Sequence, residues 1–314
     1  MGEQSHVRIT VLGDVNLEVT GFINPRFDEI SSSRLLSAPL KVHVGGTAAN
    51  FAIAARAHFQ SVRLIGAVGI DEQGSWAEKV LNSQGIETRL YRCPVAPTGT
   101  VVALRDGGSP HGNRLMIVSP DSANTALTAE YITSNSDVLT AAEFMVADGY
   151  ALLSEPRRSA VLEAMQRAAR CGARVVLDLV PHHLDALIDS AELRVWLAHA
   201  SIVVCEVETA RRILGLPLSN RPIQLQEARE TAEHLAIEFP RRSFLLRFGI
   251  ANIDQSLIWE PHGETTHYFT GFSQMEETYA FGDRLTAKEL ARHFAGSRAL
   301  KKGEKSSASS TALH

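Results

Sequence analysis

No apolar run in the chain approaches the length of a membrane span, and the N-terminus lacks a basic region followed by an apolar block, so neither membrane insertion nor export is expected. Cysteine is scarce: Cys93, Cys171 and Cys205 are odd in number, show no C-x-x-C spacing and sit in apolar or loop sequence. They read as reduced thiols of a cytoplasmic protein rather than as a metal site. Neither sign of charge dominates, with 31 basic against 35 acidic residues and a net charge of −4. A general electrostatic partnership with nucleic acid or an anionic membrane is therefore not expected, and a small anionic ligand needs a local device. Several motifs are missing as well. The chain has no Gly-Lys dipeptide, which excludes a P-loop, no G-x-G-x-x-G after its first apolar run, no H-E-x-x-H and no G-x-S-x-G. Met1-Gly2 fails as a myristoylation signal because the hydroxyl residue falls at Ser5 and His follows at position 6. Among twelve scattered histidines only His182 and His183 are adjacent, which reads as a helix start, and no internal repeat is visible.

What the chain does have is enough apolar sequence for a large core. Its 314 residues are 45% hydrophobic and 21% charged, which predicts one large domain with an appendage, or two domains. Short apolar runs rich in β-branched residues recur at Val7 to Leu12, Val62 to Val68, Glu143 to Ala147, Ala173 to Asp178, Ser201 to Cys205 and Ser243 to Phe248. Between several of them lie amphipathic helical stretches: Thr47 to His58, Gly74 to Ser83, Glu155 to Cys171, Val207 to Leu214 and Gln224 to Phe239. Strands alternating with helices imply right-handed crossovers and an α/β fold, a doubly wound, mainly parallel sheet flanked by helices.

Two stretches break that rhythm. Glu18 to Val44 and Thr98 to Val118 alternate apolar and polar residues around Gly and Pro, as solvent-faced antiparallel strands do. Together they predict a small sheet over one edge of the main domain, a lid of the kind that shields a reaction from water. Ser256 to Glu260 and Thr265 to Phe269 flank Pro261-His262-Gly263 as a β-hairpin. Residues 301–314 hold almost no core-forming side chain and read as a disordered tail after a domain spanning 1–300.

Five segments can carry chemistry, and each has a structural reading beside its functional one. In Gly45-Gly46-Thr47-Ala48-Ala49-Asn50 the glycines let a ligand approach the backbone and Asn50 can bond hydroxyls, or the segment is only a tight turn into a closely packed helix. Gly66-Ala67-Val68-Gly69-Ile70-Asp71-Glu72-Gln73-Gly74 shapes a turn in which Asp71 caps the next helix. Gly13-Asp14-Val15-Asn16-Leu17-Glu18 delivers carboxylates and an amide to the end of a buried strand, where open α/β sheets bind ligands. Glu206 and Glu208 open a helix, either complementing its dipole or orienting water around a magnesium ion. Last, Gly282-Asp283 opens a helix, where amides can hold a transferring phosphoryl group while Asp283 takes a hydroxyl proton, or where Asp283 is simply an N-cap.

In this order and on this pattern of strands, the segments resemble the ribokinase-like (phosphofructokinase B) family of carbohydrate and nucleoside kinases, from about Val7 to about Phe294. The resemblance implies a β-sheet lid from the two alternating stretches and transfer of the γ-phosphate of ATP, with Mg2+, to a hydroxyl of a sugar, sugar derivative or nucleoside. Carried over by position, Asn16, Glu18, Gly45, Gly46 and Asn50 fall on the acceptor side. Asp283 takes the base position, and Ala280, Phe281 and Gly282 take the anion-hole positions. Glu208 falls at the magnesium-linked acidic position, while Arg247 and Gly249 lie beside the nucleotide. The lid of such a fold also pairs with a second copy in homodimers.

The departures from the family pattern lie mostly on the nucleotide side. The family's Asp-Thr-x-Gly-Ala-Gly-Asp is Glu277-Thr278-Tyr279-Ala280-Phe281-Gly282-Asp283 here, so a glycine has become Ala280 and a small residue Phe281. Cys205 replaces Asn, Arg247 stands where Thr is usual, and Glu18 replaces Asp. Only 31 residues follow Asp283 (314 minus 283), leaving one helix, Leu285 to Ala295, where family members carry further helices around the adenine. Two functions follow: an ATP-dependent kinase with Asp283 as base, and a catalytically impaired ligand-binding or regulatory protein of the same fold.

Overall fold

Strands whose two faces are both covered read as unbroken apolar runs, and the central strands of this chain do so because helices pack on each side of them. The computed structural model describes residues 5–33, 35–107, 114–180, 186–219, 222–249, 253–263, 265–272 and 280–295. The predicted tail 301–314, the His182-His183 pair and Glu277, Thr278 and Tyr279 of the last motif lie outside these residues.

The main sheet has nine strands: β1 Ser5–Leu12, β4 Phe59–Gly69, β5 Ile86–Cys93, β8 Phe144–Asp148, β9 Arg174–Asp178, β10 Ile202–Glu206, β11 Ser243–Phe248, β12 Ile253–Trp259 and β13 Thr265–Phe272. Their order is β13-β12-β11-β10-β9-β8-β1-β4-β5, parallel from β11 to β5, with the antiparallel β12–β13 hairpin at one end. Helices α1 Thr47–Ala55, α2 Glu72–Ser83 and α9 Phe281–Glu289 cover one face. The other face carries α3 Ala129–Ser134, α4 Ser136–Thr140, α5 Arg157–Arg170, α6 Ser190–His199, α7 Val207–Ile213 and α8 Leu225–Glu238. β1 shows the alternation: Ile9 and Val11 belong to the first core and Leu12 to the second. The α/β fold expected from the sequence is present.

The second sheet has four strands, β3 Leu40–Gly45, β2 Asn16–Ile23, β6 Gly99–Asp106 and β7 Arg114–Val118, in the order β3-β2-β6-β7. It differs from the expected all-antiparallel lid, because β2 and β6 run parallel with Asn16 opposite Gly99. Both strands leave the same edge of the main sheet, β2 after β1 and β6 after β5, so they start side by side and point the same way. Period-2 alternation reports which face a side chain takes and carries no information on strand direction.

β5 escapes the sequence pattern because, as an edge strand, it alternates charge with apolar residues (Glu87, Arg89, Arg92), which protects an open edge. α3, α4 and α6 are short or weakly periodic and were not expected. Among the described residues, no helix is long and apolar enough to cross a membrane.

Candidate active site

The parallel strands end on one edge, and their last residues are charged: Asp14 just after β1, Asp148 on β8, Asp178 on β9, Glu206 on β10 and Arg247 near the end of β11. Register places Asp148 beside Asp178 and Glu206 beside Arg247. The chain winds outward in opposite directions from β1, to β4 and to β8, so Asp14 and Asp148 flank the point where open α/β sheets leave a crevice.

Asp148 fits there because Gly13 has no side chain; a Cβ on Gly13 would lie 2.0 Å from Oδ2 of Asp148. The amide of Asp14 donates to that oxygen at 3.3 Å, and the amide of Ala151 donates to Oδ1 at 2.9 Å. Burial, then the neighbouring Asp14 charge, pushes the Asp148 carboxyl up to about 7, against the pull of Arg157. Arg157 is ion-paired with Asp14 and donates to the Tyr150 carbonyl.

The acceptor-side residues of the sequence analysis come together at the root of the lid. Asn16 accepts a bond of 2.7 Å from Nδ2 of Asn124, whose Oδ1 accepts the Val15 amide at 3.1 Å. Glu18 is buried and accepts the Gly46 amide at 2.6 Å. Gly46 is required twice over: its φ is 91°, and a Cβ would lie 2.5 Å from the Asp14 carbonyl oxygen. Gly45 closes β3 opposite Asn16. Asn50, one turn into α1, lines a cleft of about 370 Å3 with Trp76 of α2 and with Ala280 and Arg284.

Asp283 comes to this crevice on the first turn of α9. It is not the N-cap; that position is Ala280, which has φ 50° and ψ 29° and caps with no side chain. An alanine held in the left-handed region costs roughly 1 kcal/mol, the consequence expected of losing a glycine here. Asp283 is half-buried. Burial raises its carboxyl well above the usual range, the charges of Asp178, Asp148 and Glu18 raise it further, and Arg247 opposes them. A carboxyl that is half-buried and still reaches solvent can exchange a proton with a bound hydroxyl. The Phe281 ring lies beneath the Arg284 guanidinium, 5.9 Å from centroid to Cζ.

The residues carried over to the donor side lie on β11, just after it, and on α7. Arg247 is buried; Nη1 and Nη2 each donate to Asp178 at 3.1 Å, and Nη1 donates to Oγ1 of Thr286 at 2.9 Å. Gly249 follows β11 at φ 131°. Glu208 is exposed and ion-paired with Arg212 at 2.7 Å, and among the described residues no three His, Cys, Asp or Glu side chains are grouped to hold a metal. Among the described residues a magnesium site therefore has no ready-made ligand set. Asp71 is structural: it accepts the Gly74 amide at 2.8 Å as the N-cap of α2, and its carboxylate also receives the Thr98 amide and hydroxyl. Cys205 is buried, which pushes its thiol up to about 12.

Sequence reasoning missed Asn124, Asp148, Arg157 and the role of Asp178. A signal was there for two of them, since Met145-Val146-Ala147-Asp148 and Val175-Val176-Leu177-Asp178 both end an apolar run on an acid.

A nine-stranded, mostly parallel sheet with a small second sheet at its carboxyl edge defines the class as a ribokinase-like α/β protein. The chain matches the pfkB family carbohydrate kinase model over residues 9–239, more than half its length, and belongs to that family. In fold it is similar to ribokinase from Giardia lamblia, with a TM-score of 0.71 and 18% identity over 91% of this chain and 85% of that one. It is likewise similar to fructokinase with bound ATP from Xylella fastidiosa, with a TM-score of 0.70 and 19% identity over 92% of this chain and 81% of that one. Among curated proteins it is 26% identical over 164 residues to 5-dehydro-2-deoxygluconokinase of Bacillus licheniformis, covering 52% of this chain and 50% of the relative. The enzyme of the same name from Geobacillus kaustophilus is 29% identical over 137 residues, 44% of this chain and 40% of the relative. The matched stretch thus spans about half or less of these curated relatives.

Proposed function

We propose that the protein transfers the γ-phosphate of ATP to a hydroxyl of a sugar or sugar derivative, with Asp283 as the base. The observation that carries this reading is the placement of a half-buried carboxyl with an elevated pKa at the first turn of α9, close enough to Glu18 and Asp148 to feel their charge. Asp283 takes the hydroxyl proton while the hydroxyl oxygen forms its new bond to phosphorus and the bond to the departing ADP oxygen breaks. Asn16, Glu18 and Asn50 orient the acceptor, and the lid strands keep water from the transfer. Magnesium, when bound with the nucleotide, supplies charge compensation to the phosphates. The names of the curated relatives favour a sugar derivative over a nucleoside as acceptor. The outward aliphatic side chains of the lid, including Leu40, Val42, Leu115 and Ile117, support pairing with a second copy.

A second reading is favoured by one observation: Ala280 is held left-handed where a glycine would be relaxed, so the turn is costly to maintain. In that reading the protein captures the acceptor and has lost efficient transfer. Acceptor-dependent ADP release, measured with calorimetric binding of the same sugar, separates the two. Release that disappears in Asp283→Asn while sugar binding persists supports the kinase; sugar binding without release in the wild type supports the binding protein.

A further inference from the structure

Side chains two apart on a strand share a face, so Phe22 of β2 lies on the same face of the lid as Asn16 and Glu18. Register sets Phe22 beside Arg105 of β6, and Arg105 directly opposite Arg114 of β7. The two arginines therefore occupy the face that holds Asn16 and Glu18 at its root, while the aliphatic row of Leu40, Val42, Leu115 and Ile117 takes the other.

Like charges placed directly opposite on a sheet destabilise it. Arg105 is half-buried, and burial, then the charge of Arg114, lowers its guanidinium from the usual range. A charge on β7 alone would guard the open edge of the lid. Its match on β6, an inner strand, has no such use.

The pair also reaches the crevice. Tyr150 follows Asp148 by two residues; burial raises its phenol, the charges of Asp148, Asp14 and Glu206 raise it further, and Arg114 opposes them. Arg114 thus acts in the same space as the acids at the strand ends. The arginines of the crevice floor are already taken up, Arg157 by Asp14 and Arg247 by Asp178. Among the described residues, no carboxylate is ion-paired with Arg114.

We propose that Arg105 and Arg114 form a clamp on the lid for an anionic group of the acceptor, a carboxylate or a phosphate, so that the acceptor is an acidic sugar derivative. The clamp rests on the kinase reading for what is bound and adds the charge that the bound molecule carries. An anion between the two guanidinium groups offsets their repulsion and receives charge-assisted hydrogen bonds from both.

Calorimetric titrations with gluconate, glucose 6-phosphate and fructose 6-phosphate, beside glucose and fructose, test the clamp on wild type, Arg105→Gln and Arg114→Gln. At least one acid should bind the wild type about tenfold or more tightly than its neutral counterpart, and the preference should shrink as salt is raised. Preference for gluconate marks a carboxylate clamp, and preference for the sugar phosphates a phosphate clamp. Each variant should lose about 10- to 100-fold for that acid, the size of one lost charge-assisted hydrogen bond, with neutral sugar and ATP binding little changed. Without ligand neither variant should melt below the wild type, since each removes a like-charge repulsion. Arg114 is exposed, so its variant carries the test if Arg105→Gln does not fold. No preference for any acid in the wild type, or a preference that survives in the variants, overturns the clamp. Losses confined to ATP assign the arginines to the nucleotide and overturn it as well. A protein that phosphorylates a neutral sugar and shows no such preference keeps the kinase reading and loses the clamp; one that shows the expected losses yet transfers no phosphate does the reverse.

Discussion

At the root of the lid, the Asn16 amide and the Glu18 carboxylate are met by Asn124 and Gly46 at 2.7 and 2.6 Å, on backbone whose one unusual conformation is taken by a glycine. At the start of α9, an alanine takes the left-handed conformation, and an arginine fills the space beside Gly282. The first region is held by one bond between two side-chain amides and one from a backbone amide to a carboxylate, both made within the protein itself. The second depends on one ion pair, Arg247 with Asp178, and on a strained cap. The two regions are held by different residues, and the charges of Glu18 and Asp178, one from each, both act on Asp283.

The sharpest way to break this comparison is at the shared residue. Asp283→Asn should lower turnover by roughly 10²–10⁴-fold, the usual worth of a positioned base, with acceptor affinity retained. The same change should raise the melting temperature, because it removes a buried carboxyl held well above its ordinary range. ADP release and scanning calorimetry on one preparation measure both.

Glycine substitutions probe each half separately. Gly99→Ala would set a Cβ 2.1 Å from Oδ1 of Asn16 and 2.7 Å from Nδ2 of Asn124, so it should cost about 1–3 kcal/mol of stability and weaken acceptor binding. Gly282→Ala meets only the end of Arg247, at 3.1 Å, and should cost less while weakening nucleotide binding selectively. Denaturation curves and paired titrations distinguish these outcomes. Equal effects on both ligands from either variant would mean that the halves are not independent.

A pH series sharpens the account of the crevice floor. Asp148 holds its proton in the folded state up to about 7, against an ordinary value of 3.8. Over that window the folded state binds more protons than the unfolded chain, so this group's contribution to stability is full below it and is lost as pH rises through it. Melting temperatures of wild type and Asp148→Asn should therefore diverge across that window, the wild type losing ground as pH rises. Parallel curves would remove the claim. The smallest effect is expected from Ala280→Gly, which relieves the left-handed alanine and should stabilise by up to about 1 kcal/mol in chemical denaturation.

Much of this architecture was legible in the sequence for a physical reason: strands buried on both faces must be apolar throughout, and helices beside them must be amphipathic. The expected runs ending at Leu12, Val68, Asp178, Cys205 and Phe248 therefore fall on β1, β4, β9, β10 and β11. β5 was not legible, since an exposed edge pays for solubility with charge that hides the strand pattern. The parallel pairing of β2 with β6 was not legible either, being set by where both strands leave the main sheet. In the site, motif glycines marked the backbone turns around Gly46 and Asp71. Asn124, Asp148 and Arg157 act from separate elements through partners distant in sequence, and Arg247 changed meaning only when its partner Asp178 and its contact with Gly282 could be seen.

The most direct test follows the label from γ-³²P-ATP into a sugar or sugar-derivative acceptor with wild-type protein and with Asp283→Asn, each first shown to bind the acceptor. The wild type should label the acceptor, and the variant should do so roughly 10²–10⁴-fold more slowly. Equal labelling by both proteins, or a wild type that binds the acceptor and transfers no label, would contradict the kinase reading.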